Sequence, residues 1–144
     1  MSIIIEPEGF DPSARLEQFE QSLPEASFGA TASFIGRMRD FNEGDSVSAM
    51  TLEHYPGMTE KQLNEIVSDA KSQWDIVDAL IVHRVGEINP GEPIVFTAVC
   101  SAHRAAAFDA CRFLMEALKS RATFWKNETL LNGDKRWVEK NTPG

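Results

Sequence analysis

The sequence predicts an α+β domain, with helices packed on a largely antiparallel sheet. Three observations carry that prediction. The segments from Thr59 to Trp74 and from about Ala105 to Arg121 place apolar residues at helical spacing. Between and around them, apolar runs of strand length alternate or lie next to turn residues. The two kinds follow one another as strand–strand–helix–strand–strand–helix–strand, the order of helices segregated onto an antiparallel sheet. Pattern alone points to a ferredoxin-like split βαβ core.

Taken in order, residues 1–25 read as an appendage. Asp11 caps a short helix with Pro12 at its first position, Leu16, Phe19 and Leu23 form its stripe, and Pro24 ends it. Ser27 to Ile35 is a strand. Gly36 to Asp45 has no apolar period and reads as a polar, mobile loop with glycines at both ends. Val47 to Tyr55 is the second strand, closed by a Pro56-Gly57 turn. Thr59 as N-cap with Gln62 three residues on gives a capping-box pattern, and Met58 with Leu63 a hydrophobic staple. Leu63, Ile66, Val67, Ala70 and Trp74 then form one apolar stripe. Val77 to Ile88 and Ile94 to Ala102 are strands joined by the turn Asn89-Pro90-Gly91-Glu92. Phe108, Cys111, Met115 and Leu118 mark the inward face of the last helix. Phe124 to Leu131 is a strand, Asn132-Gly133-Asp134 a turn, and Arg136 to Glu139 a segment that pairs back.

Composition bounds what such a domain does. The 144 residues suit one domain with a real core, and 42% apolar with 25% charged residues is the mix of a soluble globule. No run approaches the roughly 18 apolar residues that span a bilayer. The opening MSIIIEPEGF is too short and too acidic for a secretory signal, so a cytoplasmic location is expected. Cys100 and Cys111 form no metal or redox motif and read as small core residues. A net charge of −8 argues against nucleic acid as a partner. Positive charge is nevertheless clustered, at Arg37 and Arg39 and again at Arg104, Arg112, Lys119, Arg121 and Lys126. An acidic protein with a local basic cluster suggests a specific anionic ligand.

Several of these residues suit chemistry. Lys119 lies four residues after Met115, so it extends the inward stripe; it either snorkels to solvent or faces a polar cavity. Strand alternation puts Phe124 and Lys126 on one face and Trp125 on the other; a lysine beside an aromatic on a strand is either a solvated position or part of a site. The connection between Lys119 and Lys126 is short enough for the two ammonium groups to converge, and two close ammoniums are costly without an anion between them. Ser101-Ala102-His103-Arg104 sits where a strand gives way to a helix N-terminus, a place that attracts anions; alternatively Ser101 caps the helix and His103 is a surface residue. Arg37 and Arg39 suit bidentate phosphate binding. His54 and His83 lie on strands and read as structural. The scattered histidines make no metal motif, and no nucleotide-binding or serine-hydrolase motif occurs.

The runs Leu52-Glu-His-Tyr-Pro-Gly-Met-Thr-Glu60, His83-Arg-Val-Gly-Glu87, Ser101-Ala-His-Arg104 and Phe124-Trp-Lys126 together resemble the large, catalytic subunits of molybdopterin synthase. The resemblance spans about Gly29 to Glu139. It implies an α/β-hammerhead fold with an additional small sheet. It also implies a sulfurtransferase that moves sulfur from the C-terminal thiocarboxylate of a small ubiquitin-like carrier ending in Gly-Gly to cyclic pyranopterin monophosphate. The product is the dithiolene of molybdopterin. The implied assembly is a heterotetramer, with two large subunits at the centre and a pocket that draws on both. No metal or redox cofactor is implied, since the sulfur arrives activated. By motif, the implied catalytic residues are Lys119 and Lys126; Arg37, Met38, Arg39, His103, Arg104, Asn127 and Glu128 complete the implied substrate site. Where the family often has a basic residue after the lysine of the last run, this chain has Asn127 followed by Glu128. The lost charge is expected to weaken anion binding modestly. Two other functions fit parts of the pattern. Phe34, Phe124 and Trp125 on a sheet suit stacking of single-stranded RNA, against which the net charge argues. A non-catalytic binder of the carrier is the second, against which the two lysines argue.

Overall fold

The computed structural model describes residues 2–139; Met1 and residues 140–144 lie outside the description. Three helices and two sheets follow one another as β1 (Ile3–Glu6), α1 (Pro12–Gln21), β2 (Ala30–Arg37), β3 (Phe41–Asn42), β4 (Asp45–His54), α2 (Met58–Gln73), β5 (Ile76–Arg84), β6 (Gly86–Ile88), β7 (Pro93–Ser101), α3 (Arg104–Arg121), β8 (Phe124–Leu130) and β9 (Lys135–Val138). The main sheet has the order β1-β5-β7-β2, and the second runs β3-β4-β8-β9 with β6 paired to β4. Only β1–β5 is parallel. The α+β class therefore holds, and a four-stranded sheet carrying the helices beside a second sheet of five strands matches the additional sheet that the resemblance implied. The ferredoxin-like alternative fails because β4 and β8 leave the main sheet to pair with each other.

The core has three parts. Between the main sheet and helices α2 and α3, Leu63, Ile66, Ala70, Ile81, Val99 and Leu114 are buried. On the other face, Phe19 of α1 packs with Leu80, Val82 and Phe96. Met38, Val47, Met50, Leu52 and Ile88 fill the inner side of the second sheet.

Residues 1–25 are not an appendage. Ile3 to Glu6 extends the main sheet through Ile3↔Ile81 to Glu6↔Arg84. Ile3 and Ile5 join the core on the α2–α3 side and Ile4 the core under α1, so β1 is covered on both faces as parallel strands are. The short helix is as expected: the Asp11 carboxylate accepts from the Ser13 amide at 2.9 Å, and Leu16, Phe19 and Leu23 face the sheet.

Other differences have local causes. The strand expected from Val77 to Ile88 is two. Gly86 adopts φ +87°, which turns the chain out of the main sheet and lets β6 pair with β4. The supposed loop 36–45 contains a hairpin: Phe41 and Asn42 pair with Ser46 and Asp45, and Glu43 and Gly44 both take positive φ as a tight two-residue turn demands. Helix α2 starts two residues earlier than expected, with Gly57 as N-cap. The Glu60 carboxylate accepts from the Gly57 amide at 3.0 Å, Thr59 is fully buried instead of capping, and Met58 is exposed rather than stapled. On α3 the buried face is Ala107, Ala110, Cys111, Leu114, Ala117 and Leu118, and Phe108 is 66% exposed. Alanines bring this helix close to the sheet, so its bulkiest residue is not its most buried. Cys100 and Cys111 are free and buried, as expected.

Candidate active site

A cavity of about 530 Å3 opens where the two sheets meet the C-terminal half of α3. Lys119 and Met115, one turn apart on α3, form one wall. Lys126 and Glu128 project from β8, Arg37 closes β2, Arg39 and Phe41 come from the connection into the hairpin, and His83 sits at the end of β5. Phe34, Met38, Met50 and Ile94 supply apolar surface. Four basic side chains around a partly apolar cavity suit an anionic ligand with an apolar part.

Each cation is positioned. The turn Asn89–Glu92 forms as expected and braces the end of β2: the Met38 amide donates to the Glu92 carbonyl at 3.0 Å, and the Gly91 amide donates to the Met38 carbonyl at 2.8 Å. The Arg37 guanidinium donates to the Gly91 carbonyl at 3.0 Å. The Arg39 guanidinium lies 4.7 Å over the Phe41 ring, which fixes it without neutralising it.

Lys119 and Lys126 converge, and Lys119 faces the cavity rather than snorkelling to solvent. Burial first, and then the Lys119 ammonium with its hydrogen bond, bring Lys126 down to about 8; Arg39 adds to the effect and Glu128 opposes it. A midpoint of about 8 lets Lys126 release and take up a proton just above neutral pH, beside Lys119.

His83, which sequence reasoning left as structural, belongs to this site. Its ring stacks on Phe124 at 3.9 Å between centroids and 14° between planes. Its Nδ1 lies 2.8 Å from the Arg84 carbonyl oxygen, so Nδ1 carries the proton and donates, and Nε2 keeps the lone pair. Burial, together with the neighbouring lysines, lowers its pKa to about 3. It is an uncharged acceptor in a cationic cavity. The signal in the sequence was its alternation with Ala79 and Ile81, which aims it at α3.

Four expected residues stand elsewhere or act otherwise. Glu128 lines the cavity, but its carboxylate accepts from Asn42 at 3.1 Å and from Arg136 Nε at 3.1 Å. It ties the hairpin and β9 to β8. Asn127 alternates with Lys126, lies on the face with Trp125, and is not among the lining residues. The charge missing at this position is therefore not missing from the cavity. His103 and Arg104 are exposed just beyond the end of β7, while the cavity touches that strand at Ile94 and Val95, roughly 20 Å away at strand rise. Ser101 shapes this corner: its hydroxyl donates to the His103 carbonyl and accepts from the His103 amide at 3.2 Å. Within one chain, neither His103 nor Arg104 reaches the lysines.

Known proteins resemble this chain over nearly its whole length. The molybdopterin synthase catalytic subunit of Pseudomonas aeruginosa is 48% identical over 139 residues, covering 96% of this chain and 91% of the relative. A molybdopterin biosynthesis MoaE protein from Burkholderia ambifaria superposes with a TM-score of 0.81 at 43% identity, covering 95% of this chain and 88% of that one. A chain from the complex of subunits 1 and 2 of the Helicobacter pylori molybdopterin-converting factor shares the fold, with a TM-score of 0.80 at 17% identity over 97% of this chain and 92% of its own. No helix among the described residues is long and apolar enough to cross a membrane. The model of the MoaE protein family matches residues 5–121, and the chain belongs to that family.

Proposed function

We propose that this chain is the catalytic subunit of a molybdopterin synthase, a sulfurtransferase acting on cyclic pyranopterin monophosphate. The observation that carries this reading is the convergence of Lys119 and Lys126 in a cavity also lined by Arg37 and Arg39. The sulfur donor is the C-terminal thiocarboxylate of a small ubiquitin-like carrier, whose Gly-Gly tail is slender enough to enter the cavity. The guanidinium groups hold the substrate phosphate, and Met38, Met115 and Phe34 flank the pterin. When the thiocarboxylate sulfur attacks a substrate carbon, an ammonium of the pair stabilises the anionic adduct. The attack displaces the phosphate oxygen at one carbon and water at the other, with Lys126 moving the protons, and leaves the carrier joined to the substrate as a thioester. Water then cleaves the acyl–sulfur bond, freeing the carrier as its carboxylate and leaving the sulfur on the substrate.

His103 and Arg104 complete the site from a second copy of the chain, at the centre of a heterotetramer with one carrier at each end. Their exposure and their distance from the lysines of their own chain support that assignment. The reading carries a cytoplasmic location.

Single-turnover conversion of cyclic pyranopterin monophosphate, with the protein mixed with thiocarboxylated carrier, tests the proposal. Dithiolene product is expected. Carrier binding without product would sink the catalytic reading and leave a non-catalytic carrier binder.

A further inference from the structure

Lys119 and Lys126 belong to different bodies. Lys119 rides on α3, which packs against the main sheet, and Lys126 rides on β8, which belongs to the second sheet. Only Ala122 and Thr123 separate the end of α3 from the start of β8. Any change in those two residues re-aims one lysine against the other.

Both backbone groups of Thr123 are gripped by the first turns of α2. The Thr59 hydroxyl donates to the Thr123 carbonyl at 2.8 Å and accepts from the Tyr55 amide at 2.9 Å. The Gln62 side-chain oxygen accepts from the Thr123 amide at 2.8 Å. Thr59 is fully buried, with donor and acceptor capacity both used. Two residues back, Arg121 pairs with Asp69 of α2 at 2.7 Å. Neither Thr59 nor Gln62 lines the cavity. The grip fixes the angle at which the chain passes from helix to strand, and a misplacement there is carried directly into the lysine spacing.

We propose that Thr59 and Gln62 are positioning residues that set the separation of Lys119 and Lys126 through the backbone of Thr123. The inference rests on the reading of the two lysines as the reacting pair, but their spacing is measurable without any turnover.

The test uses Gln62→Met, which removes the acceptor at similar length, Thr59→Val, which removes the hydroxyl at similar volume, and Thr59→Ser, which keeps it. Lys126 is titrated in each full-length protein by the 13Cε chemical shift. The charged and titratable groups that face it are Lys119 from α3, His83 from β5, Arg39 from the hairpin connection and Glu128 from β8. As the pair separates, the midpoint of Lys126 rises from about 8 toward its ordinary 10.5, by about one unit or more in Gln62→Met and Thr59→Val. Thr59→Ser stays at the wild-type value. In the synthase assay, kcat falls about tenfold or more in the first two variants, with KM for the carrier unchanged. A folded Gln62→Met protein with an unmoved Lys126 midpoint overturns the proposal. So does a Gln62→Met protein that fails to fold, because the contact would then serve the fold and not the pair. If Thr59→Val alone fails to fold, Gln62→Met decides. Wild-type protein without synthase turnover, combined with a midpoint that moves in the variants, would remove the functional reading and leave the clasp standing.

Discussion

Lys126 titrates low because it is buried and because Lys119 stands beside it. Lys119→Ala removes the second cause. The Lys126 midpoint should rise from about 8, read by 13C NMR, and single-turnover rate should fall by orders of magnitude. Near-normal turnover by this variant would dismiss Lys119 as a reacting group. His83 gives a second prediction at this scale. Its folded pKa of about 3 lies below the ordinary 6.5, so the unfolded chain binds the extra proton between those values. The neutral imidazole therefore favours the fold above about pH 6.5, and that stability is lost as pH falls toward 3. The loss is up to roughly 1.4 kcal/mol per pH unit. His83→Phe keeps the stack on Phe124 and should flatten this part of the stability curve in urea titrations at pH 4, 5 and 6.5. An unchanged slope would show that His83 is not held neutral by burial. Lys119 was legible from helical spacing, since it extends an inward stripe, and Lys126 from strand alternation with Phe124 and its short connection to Lys119. The role of His83 was not, because the carbonyl and the aromatic ring that hold it are contributed by its neighbour Arg84 and by distant Phe124.

Among the elements, the β3–β4 hairpin is the one that sequence reading lost. Its stability in place comes from Arg136, whose guanidinium donates to Glu128 at 3.1 Å, to Asp45 at 2.8 Å and to the Asn42 carbonyl at 2.8 Å. That one side chain joins β9, β8 and the hairpin that follows Arg39. Arg136→Ala should increase amide hydrogen exchange in residues 41–46 and raise KM for the anionic substrate more than it lowers kcat. Unchanged exchange in that segment would refute the tie. Polar residues concealed this hairpin: Asp40, Asn42, Glu43 and Asp45 have no apolar period, and their partners are up to 94 residues away. Helix α2 was easier, because Leu63, Ile66, Val67 and Ala70 repeat at helical spacing. Its start was misread because Thr59, a good capping residue, is used for a tertiary contact with Thr123.

For the molecule as a whole, the N-terminal segment is structural. Ile3 lies against the core formed with Ile81 and α2, so Ile3→Ala should cost roughly 2–5 kcal/mol in denaturant unfolding. An appendage would show no loss. A second whole-molecule expectation concerns assembly. If His103 and Arg104 serve the cavity of a second copy, mixing Lys119→Ala protein with Arg104→Ala protein should restore activity at one of the two sites of each mixed dimer, and each alone should be depressed. No restoration in mixed dimers would argue that Arg104 acts within its own chain.

Periodicity and turn chemistry, which act between residues close in the chain, determined the α+β class, the two long helices, most strands and the turns at 89–92 and 132–134. They also placed Lys119 on an inward stripe and Lys126 on the face of Phe124, and the motifs identified the family. Tertiary structure alone decided which strands share a sheet, that β1 joins the main one, and that α3 buries its alanines rather than Phe108. It also decided that His83 joins the lysines while Asn127, His103 and Arg104 stand apart from them. Those outcomes depend on hydrogen bonds and packing between segments far apart in the chain, which local spacing does not encode.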